Sequence, residues 1–192
     1  AKAAGAQVLA VLNASPFHLD KAGEREARMA ERARAVGLPL LYAHLVGGQD
    51  ELVFDGASFA LDADGRVGMR AASFEPAVAL ATLDGTRWRG EVAPLPSLEA
   101  QAWAALVTGV RDYLGKNGFP GVIIGLSGGV DSALVLAIAV DALGADRVRT
   151  VMMPSPYTAD ISWIDARDMA ARLKVRYDEI AIAPMFDAFR TS

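Results

Sequence analysis

The stretch Gly121–Val122–Ile123–Ile124–Gly125–Leu126–Ser127–Gly128–Gly129–Val130–Asp131–Ser132 decides the reading of this chain. It opens with a short apolar run rich in β-branched residues, the composition of a strand buried on both faces. A Ser-Gly-Gly turn follows, and then Ala133 to Val140, which reads as a buried helix. A strand, a glycine turn and a helix N-terminus together make an anion site. Backbone N–H groups point outward, the helix dipole favours negative charge, and the missing Cβ atoms admit a phosphate closely. Ser127 and Ser132 add hydroxyl donors. Asp131 stands among them, and a carboxylate beside a polyphosphate calls for a cation between the two, which points to Mg²⁺. No Gly-Lys-Ser/Thr follows, so this is not the Walker loop. Two glycines alone would describe only a tight turn before a capped helix. The whole order of strand, SGGVDS and helix favours phosphate binding.

Upstream, Ser97 is placed to cap a long helix, on which Trp103, Leu106, Val107, Val110 and Leu114 recur as one apolar stripe; Gly118 and Pro120 end it. Downstream, Gly144 breaks the first helix and Val148 to Met153 is a second strand. An irregular loop, Pro154 to Asp160, stands at the C-terminal end of that strand, where open α/β sheets bind ligands. Ser162 reads as a helix N-cap with Asp165 at capping-box distance. Tyr177 to Ile182 is a third strand, and a helix begins near Pro184.

The residues before Ser97 form a separate pattern. Gln7 to Leu12 is a buried strand, Gly23 to Val36 a charged helix with Ala27, Met29, Ala30 and Ala33 on its apolar side, and Leu40 to Leu45 a strand. Gly37 and Pro39 close the helix. This β–α–β order implies parallel strands with a right-handed crossover. Gly47 to Glu51 reads as a loop, Val53 to Leu61 as an extended stretch, and Asp62–Ala63–Asp64–Gly65 as a turn into a strand at Arg66 to Met69. A further strand is expected between Phe74 and Leu83. Thr86 to Pro96 loses hydrophobic periodicity and contains two prolines, as a linker does. The expected division is 1–84, a linker at 85–96, and 97–192.

Composition narrows the classes. The 192 residues are 53% hydrophobic and 22% charged, ample for a core. A net charge of −4 gives no reason to expect nucleic acid or an anionic membrane surface, and no apolar run approaches the ~20 residues of a membrane span. There is no cysteine, so no thiol nucleophile. The opening Ala1–Lys2–Ala3 reads as mid-helix, and three strands make a poor doubly wound domain, so the chain is read as truncated at both ends.

The SGGVDS turn resembles the pyrophosphate loop of the ATP pyrophosphatases, which adenylate a substrate and release pyrophosphate. Within that superfamily, Met153–Pro154–Ser155–Pro156–Tyr157–Thr158–Ala159–Asp160–Ile161–Ser162 with Asp165–Ala166 is similar to the corresponding stretch of NAD synthetases. Leu12–Asn13–Ala14–Ser15–Pro16–Phe17–His18, Lys21, and Gly47 to Ser58 resemble the nitrilase-type glutaminase half of the glutamine-dependent members. The resemblance covers nearly the whole chain. It implies an α/β fold: part of a nitrilase-like α/β sandwich, then part of a parallel-sheet, Rossmann-like domain of the adenine-nucleotide α-hydrolase type. It implies ATP and Mg²⁺ as cofactors, deamido-NAD and glutamine as substrates, a homo-oligomer and a cytoplasmic location. ATP would be held by Gly125, Leu126, Ser127, Gly128, Gly129, Val130, Asp131, Ser132 and Met153, with Met152 beside it, and the metal by Asp131. Ser15 and Lys21 match the pair that holds glutamine. The catalytic Glu–Lys–Cys triad belongs upstream, so no catalytic residue is assigned here.

On residue chemistry alone, Ser15 reads better as a turn hydroxyl and Lys21 as a surface charge, while Met153 reads equally as a core methionine. Asp20 stands where the family has Gly, His44 where it has Asn, and Lys174 where it has Gly after the helix. Two other readings remain: a different ATP pyrophosphatase with an amidohydrolase partner, and a non-catalytic nucleotide-binding fragment.

Overall fold

The computed structural model describes residues 2–191. Two compact units, Ala1–Gly109 and Val110–Ser192, divide the chain. Both are α/β, as expected.

The first unit is built on a mixed four-stranded sheet. Strand β1 (Leu9–Asn13) leads into helix α1 (Lys21–Val36) and then β2 (Leu40–His44), which lies parallel to β1 in the register Leu9 to Leu40. A hairpin of β3 (Val46–Gln49) and β4 (Leu52–Asp55) follows. The expected loop at Gly47–Glu51 is therefore mostly strand. The chain turns only at Asp50, whose φ of 51° lies in the left-handed region that Asp tolerates better than most residues. Strands β5 (Phe59–Leu61) and β6 (Val67–Arg70) complete the sheet in the order β1-β2-β5-β6. The single extended stretch expected over 53–61 is broken between β4 and β5, because Gly56 and Ala57 both have positive φ.

Helix α1 buries Ala22, Arg25, Ala30 and Ala33, while Ala27 faces solvent. Its core is Ala30 and Ala33 against Leu40, Tyr42, Phe59 and Leu61, with Tyr42 and Phe59 stacked 4.8 Å apart.

No strand forms over residues 74–81. A short hairpin of β7 (Thr82–Asp84) and β8 (Arg87–Arg89) replaces it, so part of the expected linker is ordered. Buried Asp62 accepts the Trp88 N–H at 2.6 Å, and Arg70 joins Glu26 in a two-point ion pair while its Nη1 donates to Ala93 O. These bonds fasten 88–93 to the sheet despite the flanking prolines. Helix α2 (Leu98–Lys116) starts with Ser97 Oγ accepting the Ala100 N–H, as a cap should. The expected stripe is displaced: Gln101, Ala105, Thr108 and Leu114 are buried, and Leu106 is exposed. Gln101 satisfies its amide on Pro96 O, which lets a polar side chain occupy the covered face.

In the second unit three parallel strands lie in the order β11-β10-β9: β9 (Val122–Gly125), β10 (Val148–Met152) and β11 (Arg176–Glu179). β9 was expected to be buried on both faces. It is an edge strand among the described residues, and Ile123 is 70% exposed. Helix α3 (Val130–Leu143) follows β9 directly. It packs Leu136 and Ala139 onto the sheet, but Leu134 and Val135 are half exposed, so its burial is one-sided. Helix α4 (Asp160–Arg172) connects β10 to β11, and α5 (Ala183–Thr191) ends the described chain. α4 begins before Ser162, which lies inside the helix. The Ser155–Thr158 turn closes the preceding loop early, and Asp160 supplies the first-turn carboxylate that the helix dipole favours.

α4 ends in a Schellman motif. Lys174 N–H bonds Ala171 O, and Val175 N–H bonds Ala170 O. Lys174 carries the left-handed conformation, φ 56°, that Gly37 adopts after α1 at φ 65°. A side chain costs ~1–2 kcal/mol there. Lys174→Gly is therefore expected to raise stability by about 1 kcal/mol, read as a higher urea midpoint; a lower one would refute the strain.

Candidate functional site

β9 delivers the chain to the turn at Leu126, which is buried and tied to β10 by its N–H to Val151 O. Ser132 Oγ is the hub of the turn. It accepts the Ser127 N–H at 3.2 Å, lies 3.1 Å from Ser127 Oγ and donates to Gly129 O at 2.9 Å. The two hydroxyls thus brace the turn, and Ser127 Oγ also accepts the Gly129 N–H. The first turn of α3, Val130 to Ser132, presents N–H groups that have no carbonyl four residues back. A braced loop beside a helix end is an arrangement that suits an anion.

The two glycines of the turn do different work. Gly128 has φ +83°, and a Cβ there would lie 2.3 Å from Ser162 O and 2.7 Å from Ser162 Cα. Gly129 is extended, and a Cβ on it would meet only Ser127 Oγ at 3.5 Å. Gly128 is therefore required by the α4 backbone behind the loop, whereas Gly129 leaves the front of the loop open. Gly128→Ala is expected to cost about 3 kcal/mol, from left-handed strain plus overlap. Gly129→Ala should melt within about 1 kcal/mol of the parent and lose ATP affinity. Thermal melts with an ATP titration separate them, and the converse pattern would reverse the roles.

Beside the turn is a cleft of about 230 Å³ lined by Gly125, Leu126, Ser127, Val151, Met152, Met153 and Thr158. Met153 is 53% exposed at the cleft, and Met152 is buried in the core. The structure thus separates two methionines that the sequence left as a pair. Thr158 is a lining residue that sequence reading missed, although it lies in the loop after β10 that was marked for ligands. Asp131 is exposed in the first turn of α3. Among the described residues no three His, Cys, Asp or Glu side chains cluster as a metal site. A Mg²⁺ shared with nucleotide phosphates needs only one or two carboxylates, so a single exposed Asp131 fits.

In the first unit, Ser15 and Lys21 both lie beyond the C-terminal end of β1, Ser15 in the connecting segment and Lys21 at the first position of α1. That segment is held by Phe17, whose N–H bonds Val53 O and whose ring meets Phe74 edge-on at 5.2 Å. Asp20, just before α1, adopts φ 64°. Next to Ser15 lies a buried cluster that sequence reading missed. Arg25 Nη2 is 2.5 Å from Asp55 Oδ2, and Arg25 Nη1 lies 2.8 and 2.7 Å from the two ring nitrogens of His44. Burial first, then the Arg25 cation, pushes His44 below the usual histidine range, with Asp55 opposing. One signal for it was available: Arg25 falls on the same helix face as Ala22, Ala30 and Ala33.

A parallel sheet with a glycine turn between its edge strand and a helix defines a nucleotide-binding α/β domain, and residues 102–192 match the family model described as NAD synthase. Over 190 residues the chain is 48% identical to a glutamine-dependent NAD(+) synthetase from Xylella fastidiosa, covering 95% of this chain and 34% of that protein. It is likewise 48% identical to the Rhodobacter capsulatus protein of the same name, over 94% of this chain and 34% of that one. A solved structure of the glutamine-dependent enzyme from Acinetobacter baumannii, in complex with ADP, superposes with a TM-score of 0.95 at 41% identity, covering 98% of this chain and 36% of that one. The chain belongs to the glutamine-dependent NAD synthetase family and spans about a third of the length of the curated relatives it matches.

Proposed function

We propose that this chain is the part of a glutamine-dependent NAD synthetase in which a glutaminase segment passes into the ATP site. The proposed division is 1–84 for the glutaminase part, 85–96 for the connection and 97–192 for the synthetase part. In the complete enzyme, glutamine is hydrolysed and its ammonia passes internally. ATP adenylates the nicotinate carboxylate of deamido-NAD, and ammonia displaces AMP to give NAD. On the synthetase side, the α3 N-terminus and the residues Gly125 to Ser132 hold the departing pyrophosphate. Met153 and the cleft beside it take the adenine, a use consistent with ADP in the Acinetobacter baumannii relative. Asp131 would hold Mg²⁺, which when bound offsets the phosphate charge. On the glutaminase side, the Lys21 ammonium suits the glutamine α-carboxylate and the Ser15 hydroxyl a neighbouring polar group. A homo-oligomer in the cytoplasm is the setting proposed. No helix among the described residues is long and apolar enough to cross a membrane.

The observation that carries this reading is the braced turn with its adjoining cleft, on a chain whose homology runs through both units. The test is pyrophosphate release by the full-length protein from ATP, glutamine and a panel of carboxylate acceptors. Release that depends on deamido-NAD is expected. Equal release with another acceptor, or none with deamido-NAD, would overturn the assignment.

A further inference from the structure

Ser15 is not held by its own strand. Its backbone N–H donates to His44 Nε2 at 3.2 Å, across from the end of β2. The other ring nitrogen, Nδ1, lies 3.0 Å from Gly56 O, an acceptor only, so Nδ1 carries the proton and Nε2 the lone pair. The His44 backbone is fixed as well, its N–H donating to Ser58 Oγ at 2.9 Å. Arg25 Nη1, 2.7 Å from Nε2, is a second donor to the same lone pair, so the Ser15 N–H shares its acceptor with the guanidinium. The charged and titratable groups around it come from three elements: Arg25 on α1, Asp55 Oδ1 on β4 at 3.6 Å, and Tyr42 on its own strand at 5.9 Å between rings.

We propose that His44 is a positioning residue for the glutamine site, holding the Ser15 backbone through Nε2 and releasing it when protonated. This rests on the assignment of Ser15 to glutamine. A second proton on the ring would place N–H against N–H at Ser15 and a second cation against Arg25. Burial first, and then the Arg25 cation, hold the ring neutral at neutral pH, with Asp55 opposing. The sign follows from the lowered titration. The unfolded histidine takes up its proton near pH 6.5, and the folded one only under more acid conditions. Its contribution is complete above that value and is lost as pH falls. An asparagine here would offer an acceptor that does not titrate, so the histidine adds a pH response to this position.

The test is glutamine KM and kcat for glutamate release by the full-length enzyme between pH 5 and 8. Ammonia-driven NAD formation serves as the control for the synthetase side. In the parent, KM should rise as pH falls through the titration of the folded histidine, on the acid side of its ordinary range, while kcat changes less. His44→Asn should keep the neutral-pH KM and lose that rise. His44→Leu, with no acceptor, should hold KM about 3- to 10-fold above the parent's neutral-pH value, the size of one hydrogen bond, and show no further rise in acid. A parental KM that does not change with pH, or His44→Asn retaining the rise, overturns the proposal. The Ser15 amide shift in ¹⁵N NMR should follow the His44 titration, and an amide that does not follow it overturns the positioning role directly. A Ser15→Ala variant with parental glutamine KM overturns instead the glutamine assignment on which the proposal rests.

Discussion

Asp131→Ala in the full-length enzyme is expected to lower NAD formation by ~10²–10³-fold, the usual cost of removing electrostatic stabilisation at a reacting phosphate. Glutamate release should stay near the parental rate, because glutamine is assigned to the other unit. Asp131 is the only carboxylate between Gly121 and Ser132, so nothing else in the turn can bring a cation to a phosphate held there. Its exposure in the first turn of α3 limits its structural share to a helix-dipole effect of ~0.3–1 kcal/mol. A role confined to the turn would leave NAD formation per folded molecule nearly unchanged with a small fall in melting temperature. Measuring NAD, glutamate and melting on one preparation decides between them, and parental NAD formation would overturn the phosphate-site reading.

Asp55→Ala is expected to destabilise the first unit by ~3–5 kcal/mol, since it leaves a buried guanidinium without its anion. The side chains of Arg25 and Asp55 are 8% and 3% exposed, and His44 beside them is held neutral, so no other group takes over the charge. Replacing both partners, Arg25→Met with Asp55→Leu, should recover most of the loss, because two buried charges then leave together. Urea titration followed by Trp88 fluorescence, with Trp103 and Trp163 changed to Phe, reads the unit that contains the pair. A loss below about 1 kcal/mol for Asp55→Ala would mean that water reaches the pair and screens it.

The parts of this protein that sequence exposes are those in which local chemistry and tertiary role coincide. The order of apolar run, Ser-Gly-Gly and helix marks the phosphate turn because each residue there serves the local backbone. Asp20 and Lys174, the two positions at which the resemblance leads one to expect glycine, both adopt the left-handed conformation. The β3–β4 hairpin was hidden because Gly47 and Gly48 read as loop, although strand pairing supplies the order that glycine lacks. The covered face of α2 was hidden because Gln101 and Thr108 look solvent-facing until the Pro96 carbonyl and the neighbouring packing are known. The cluster of Arg25, His44 and Asp55 draws on a helix and two strands, and no spacing rule joins such positions. Ser127 and Ser132 were found by sequence as donors to a ligand, and the structure adds that they first brace each other.

The seat of Gly128 against Ser162 has a consequence for how this protein tolerates change. The approach is to the backbone of Ser162, to its Cα and carbonyl, and not to its side chain. Residue 128 is thereby constrained by residue 162, while residue 162 is free to vary in identity so long as α4 keeps its path. Comparing substitutions at the two positions would reveal no correlated pair, although one sets the space available to the other. The sensitivity lies in chain length: an insertion or deletion between Pro154 and Asp160 would shift the α4 backbone and disturb the turn from behind, with every residue of SGGVDS unchanged.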